Sequence, residues 1–141
     1  MKSTSNLLTH ITARVLIVDD EEDIRFLITS ILSQHGLTVD CAADGAQAYE
    51  LICANPSKYD IILSDCNMPN VSGPELASAI RKNKKISKQP KFILMTGGIH
   101  LNIDSIDQKM INGFIYKPFK KESILEAIHS ALDIDQKKDV A

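Results

Sequence analysis

Apolar residues in this chain follow two rhythms, and the rhythms alternate. Short, nearly continuous runs of β-formers stand at residues 14–18, 60–64, 91–95 and 114–116, with a weaker run at 37–42. Runs of that length, bounded by turn residues, predict buried parallel strands. Between them the apolar positions take helical spacing. Ile24, Leu27, Ile28, Ile31 and Leu32 recur at i, i+3, i+4, i+7 and i+8 and predict a first helix. Glu21, Glu22 and Asp23 fill its first turn, where the helix dipole favours negative charge, and Gly36 ends it. A second helix is expected over 45–54, with Ala48, Leu51 and Ile52 inward and Pro56 as its stop. The turn Met68-Pro69-Asn70-Val71-Ser72-Gly73 leads to a third, with Pro74 in its first position and Leu76, Ala79 and Ile80 as the buried stripe. A fourth, over 103–111, draws on poor helix formers, since Asn102, Asp104, Ser105 and Asn112 lie in or beside it. A fifth, over 121–132, buries Ile124, Leu125, Ile128 and Leu132.

Five strand–helix units in succession imply an α/β fold with a parallel sheet covered on both faces, and right-handed crossovers restrict it to doubly wound forms. One domain is expected over 14–132, between a flexible N-terminal tail (1–13) and a polar C-terminal tail (133–141). Four of the strands run into polar residues: Asp19-Asp20, Asp65, Thr96 and Lys117-Pro118. Open parallel sheets bind ligands outside the carboxyl ends of their strands. If these strands are neighbours, three carboxylates, one hydroxyl and one ammonium share a rim. Clustered carboxylates suit a hard divalent cation such as Mg²⁺, and a lysine beside them suits a phosphoryl group. The pattern points to phosphoryl chemistry at a carboxylate.

Composition narrows the partners. A net charge of −2 supplies no global field for nucleic acid or anionic membrane. No apolar run is long enough to span a bilayer, and the segment from Met1 to Leu8 is too polar for a secretory signal. Cys41, Cys53 and Cys66 are odd in number and form no C-x-x-C pair, so neither a disulfide framework nor a zinc site is indicated, and a cytoplasmic home is expected. His10, His35, His100 and His129 show no ligand spacing. The basic stretch from Arg81 to Lys91 reads as a solvated helix end and loop, and Cys66 as a strand-end residue without chemistry of its own. There is no Walker motif, so nucleotide binding is not expected.

The acidic pair Asp19-Asp20, Asp65 within D-x-N-M-P-x-x-S-G, Thr96, and Lys117-Pro118-Phe119 come in this order at strand ends. In that combination the chain resembles the receiver domain of two-component response regulators, from about Arg14 to Leu132. The resemblance implies a flavodoxin-like strand order 2-1-3-4-5. It implies that Asp65 accepts a phosphoryl group from a histidine kinase or a histidine phosphotransfer protein. Asp65 would then be the nucleophile, forming an acyl phosphate. Asp20, Asp65 and the backbone carbonyl of Asn67 would hold Mg²⁺, with Asp19 acting through water. Lys117 would place an ammonium on a phosphoryl oxygen and Thr96 its hydroxyl on another. Thr96 and Phe114 would be the switch pair, and the Lys117–Pro118 peptide bond would be cis. Two departures stand out. Gly97 occupies a position where the family usually has alanine, followed by Gly98, and Phe114 cannot hydrogen-bond, so its movement must be read through packing.

With no second domain found after Pro118, the leading expectation is a stand-alone receiver, not an enzyme beyond its own phosphorylation and autodephosphorylation. It would signal to a downstream protein, or associate with itself, through the face made by helix four, strand five and helix five. Two alternatives are a phosphate-independent pseudo-receiver or adaptor and a receiver fragment of a hybrid kinase. An aspartate-nucleophile phosphatase is disfavoured, because Val18-Asp19-Asp20-Glu21 lacks D-x-D at the first strand.

Overall fold

The computed structural model describes residues 12–97 and 109–140. Continuous apolar runs form five strands: β1 (Arg14–Val18), β2 (Thr38–Ala42), β3 (Ile61–Asp65), β4 (Lys91–Thr96) and β5 (Gly113–Tyr116). All neighbouring pairs are parallel, in the order β2-β1-β3-β4-β5 that the resemblance implies. Among the described residues the helices are α1 (Glu22–Gln34), α2 (Gly45–Ala54), α3 (Gly73–Lys82) and α4 (Lys121–Val140).

Side chains alternate across a strand, so each apolar run feeds two cores. Val15, Ile17, Ile61, Leu63, Ile93, Met95 and Ile115 face one side, against Ile28 and Leu32 of α1 and Ile124, Leu125, Ile128 and Ala131 of α4. Leu16, Val18, Ile62, Phe92 and Leu94 face the other, against Ala48 and Ile52 of α2 and Leu76, Ala77 and Ile80 of α3. Burial on both faces is why β1, β3 and β4 carry no polar alternation.

Local chemistry sets the helix ends. Gly36, just past α1, takes φ +82°, the left-handed value that glycine adopts at least cost. The side chain of Asp44 accepts a hydrogen bond from Gln47 N–H (2.8 Å) and caps α2. Ser72 caps α3 in a reciprocal box: its Oγ accepts from Glu75 N–H (3.2 Å), and Glu75 Oε1 accepts from Ser72 N–H (3.1 Å).

Several sequence expectations need correction. Leu27 is 47% exposed, because it lies one residue step around α1 from Ile28 and beyond the stripe of Ile24, Ile28, Ile31 and Leu32. In α3 the buried set is Gly73, Leu76, Ala77 and Ile80, at i, i+3, i+4 and i+7, so Ala77 takes the core place expected for Ala79. Ala131 rather than Leu132 completes the buried stripe of α4. The C-terminal helix does not stop at Leu132; it runs to Val140, since no glycine or proline interrupts 121–140. Residues 103–108 of the expected fourth helix lie outside the described residues, and 109–111 are turn and coil.

Candidate functional site

Parallel pairing brings the strand ends together. Val18 is in register with Ser64, Asp65 with Met95, and Thr96 with Tyr116. Asp19 and Asp20 leave β1, Asp65 closes β3, Thr96 closes β4, and Lys117 follows β5. One carboxylate oxygen from each of Asp19, Asp20 and Asp65 lies within 4.8 Å of the others. Lys117 Nζ donates to Asp65 Oδ1 at 3.0 Å and lies 3.9 Å from Asp19 Oδ2. Lys117 N–H also donates to Thr96 O (2.7 Å), which ties the lysine to the end of β4.

The surroundings hold these groups at fixed positions. Asp19 is fully buried; its Oδ1 accepts from Glu21 N–H (2.9 Å), and Arg25 Nη1 donates to its backbone carbonyl (2.7 Å). Asp65 is 8% exposed, and its Oδ1 also accepts from Cys66 N–H (2.9 Å). Gly73 packs directly against the Asp65 backbone: a Cβ there would overlap Asp65 O and come within 2.6 Å of Leu94 Cδ1. Gly73 N–H donates to Cys66 O (2.9 Å), closing the loop between β3 and α3. In the sequence Gly73 stands only as part of the turn into α3 and of the D-x-N-M-P-x-x-S-G motif. The signal was present in the Ser-Gly pair after the loop, because only glycine lets the α3 backbone approach so closely.

The electrostatics are unbalanced. Burial, followed by the charge of Asp65, outweighs the Glu21 hydrogen bond and pushes Asp19 up to about 6. Asp19 Oδ2 is buried and has no hydrogen-bond partner among the described residues. A buried carboxylate oxygen without a donor is costly unless a charge faces it. Burial pulls the Lys117 ammonium down, but its hydrogen bond to Asp65 and the charges of Asp65 and Asp19 more than reverse this. Among the described residues Lys117 thus pairs with two of the three clustered carboxylates, Asp65 and Asp19. The donor set is all oxygen, with a desolvated carboxylate aimed into it, and this fits a hard divalent cation.

The remaining expected residues are placed as follows. Thr96 is buried at 2% exposure, at the rim beside Lys117. Asp20 and Asn67 are exposed at the mouth. Phe114 is half-buried and packs against the α2–α3 core, whereas Tyr116 is exposed. The Lys117–Pro118 bond is cis, as the resemblance implies. Among the described residues no atom lies within 4 Å of a Cβ built on Gly97; Gly98 lies outside them. Cys66 is buried, and burial, then Asp65, pushes its thiol up, the reverse of an activated thiol. One expectation fails: Arg81 is no solvated helix end, because its guanidinium is tied into the base of the sheet. No described helix is long and apolar enough to cross a membrane.

Comparison with known proteins agrees with this geometry. The chemotaxis protein CheY of Bacillus subtilis is 35% identical over 123 residues, covering 85% of this chain and 98% of that protein. A probable chemotaxis protein CheY of Rhizobium etli is 32% identical, covering 84% of this chain and 94% of its own length. Among solved structures, the response regulator TrrA of Thermotoga maritima, in complex with Mg²⁺–BeF, superposes with a TM-score of 0.73 at 31% identity, covering 84% of this chain and 98% of that one. The family model of the response regulator receiver domain matches residues 15–129, and with the strand order and the carboxylate–lysine rim this makes the chain a member of the response regulator receiver family.

Proposed function

We propose that this chain is a stand-alone, cytoplasmic response regulator that takes a phosphoryl group onto Asp65 from a histidine kinase or histidine phosphotransfer protein, with Mg²⁺. The observation that carries the reading is the rim itself: oxygens of Asp19, Asp20 and Asp65 within 4.8 Å of one another, with Lys117 Nζ 3.0 Å from Asp65 Oδ1. Asp20, Asp65 and the Asn67 carbonyl would hold the ion directly, and Asp19 through water. When bound, Mg²⁺ supplies positive charge that screens the transferring phosphoryl oxygens from the carboxylates. Asp65 attacks phosphorus; its P–O bond forms as the bond to the donor nitrogen breaks. The Lys117 ammonium takes one phosphoryl oxygen and the Thr96 hydroxyl another.

Similarity to the chemotaxis CheY proteins favours a receiver that acts on another protein. A protein donor is favoured by α1, which starts two residues after Asp20 and leaves Phe26 75% and Leu27 47% exposed. Exposed apolar side chains beside a charged mouth suit a macromolecule better than a small phosphate ester. For output, Thr96 would move toward the phosphoryl group and Phe114 would fill the space behind it. The face expected to change includes β5 and α4, which border an open cleft of about 410 Å³ lined by Phe114, Tyr116, Glu126, Ala127 and Ser130. A Phos-tag gel after acetyl phosphate treatment tests the reading. A shifted band is expected with Mg²⁺, and none in EDTA or for Asp65→Asn; a shift that persists in both controls would overturn the assignment.

A further inference from the structure

Arg81, at the C-terminal end of α3, donates five hydrogen bonds to residues around the starts of β4 and β5. Nε and Nη2 reach Met110 O (3.3 and 3.1 Å), Nη1 reaches Gln89 Oε1 (2.8 Å) and Pro90 O (2.7 Å), and Nη2 reaches Asn112 Oδ1 (3.0 Å). Such a set needs the planar fork of a guanidinium; a lysine could not hold these groups in one geometry. Asn112 carries the contact into the sheet. Its Oδ1 also accepts from Phe92 N–H (2.8 Å), and its own N–H donates to Phe92 O (2.7 Å).

This node sits where the sheet needs a fixed point. β5 is four residues long, pairs with β4 on one side, and opens on Gly113, which has no side chain to lock its register. Lys117 follows its last residue, about 16 Å from Asn112 at the usual strand rise. A slip of one residue would turn Lys117 to the wrong side, and a slip of two would carry it well out of reach of Asp65. We infer that Arg81 is a positioning residue for Lys117: by clamping Asn112 against Phe92, it sets the register of β5 that delivers the ammonium to Asp65 at the opposite end of the sheet. This rests on the reading of Asp65 and Lys117 as the phosphoryl-binding pair.

The test compares wild type with Arg81→Met and Asn112→Ala, each with and without Lys117→Ala. Amide hydrogen exchange is followed over 113–117, and Mg²⁺ and Mg²⁺–beryllofluoride affinities are measured by titration. Arg81→Met should speed exchange in β5 while β1 and β3 stay protected. It should leave Mg²⁺ affinity nearly unchanged and weaken beryllofluoride binding about fivefold or more, and this loss should vanish in the Lys117→Ala background. Proportional losses of both ligands, or the same loss without Lys117, would show that Arg81 supports only the fold and would overturn the inference. If Arg81→Met does not fold, Asn112→Ala, which leaves the Met110 and Pro90 contacts in place, is judged by the same two outcomes. Wild type that binds Mg²⁺ but no beryllofluoride would contradict the receiver reading instead, and the exchange data would still decide whether the clamp holds β5.

Discussion

Replacing Asp19 with asparagine should stabilise the metal-free protein at neutral pH. The Asp19 carboxyl is fully buried, and burial raises it from 3.8 to about 6. A shift of about two units corresponds to roughly 3 kcal/mol, at about 1.4 kcal/mol per unit. A raised carboxyl means that the native state binds the proton more tightly than the unfolded chain. Its contribution is therefore present below the unfolded value of 3.8 and is lost as pH rises through about 6. At pH 7.5 the loss is complete; at pH 5 roughly half of it, about 1.4 kcal/mol, is recovered. Asparagine mimics the neutral form and keeps an oxygen for the Glu21 N–H bond, so its stability should lack this titration. Urea melts of both proteins in EDTA at pH 7.5 and 5 measure the difference. Other carboxylates, such as Asp40, which the Tyr59 hydroxyl and Lys58 hold low, titrate in both proteins and cancel. The asparagine variant should gain on wild type as pH rises from 5 to 7.5, and saturating Mg²⁺ should close the gap by stabilising wild type. A difference that stays flat between the two pH values would refute the claim that the site holds a desolvated charge at the expense of stability.

Three further outcomes follow from the geometry. Lys117→Ala should retain or slightly improve Mg²⁺ affinity, by removing a cation near Asp19 and Asp65, while weakening beryllofluoride binding to a lower but still measurable affinity; a large fall in Mg²⁺ affinity on calorimetric titration would contradict its role. Gly73→Ala should cost about 2 kcal/mol or more in a chemical melt, because its Cβ would overlap Asp65 O and Leu94, whereas Gly97→Ala, with no described atom within 4 Å, should change stability little; equal effects would show that the approach of α3 to β3 is not tight. Cys41 and Cys53 are exposed, so a thiol reagent should modify both in the folded protein well before Cys66, and fast reaction at Cys66 would reopen a chemical role for it.

The site was legible in the sequence because of the geometry that builds it. Strands buried on both faces are continuous apolar runs, and in a parallel sheet every run ends on the same edge. Asp19, Asp65, Thr96 and Lys117 therefore share a rim once their strands are neighbours, an adjacency that the family resemblance implied and the strand order bears out. Helix faces were less legible, because a single residue step decides burial: Ala77 and Ala79 both lie near the stripe of α3, and only packing against the sheet chose Ala77. The end of α4 was misjudged because polarity was taken as a stop, when no residue there breaks a helix. Arg81 was hidden for a different reason. It stands among lysines, while its partners Met110 and Asn112 lie 29 and 31 residues away in sequence, so no local pattern reports the clamp. Gly73 was readable in principle, from the Ser72–Glu75 capping box that fixes where α3 begins.

The mechanism proposed for this rim stands on phosphoryl transfer to Asp65. Borohydride reduction of an acyl phosphate converts the aspartate concerned to homoserine, which tandem mass spectrometry locates by residue. After acetyl phosphate and Mg²⁺ treatment of the full chain, homoserine is expected at position 65, with Asp19 and Asp20 unmodified and no conversion in EDTA. Conversion at Asp19 or Asp20, or a phosphorylated chain with Asp65 intact, would contradict it.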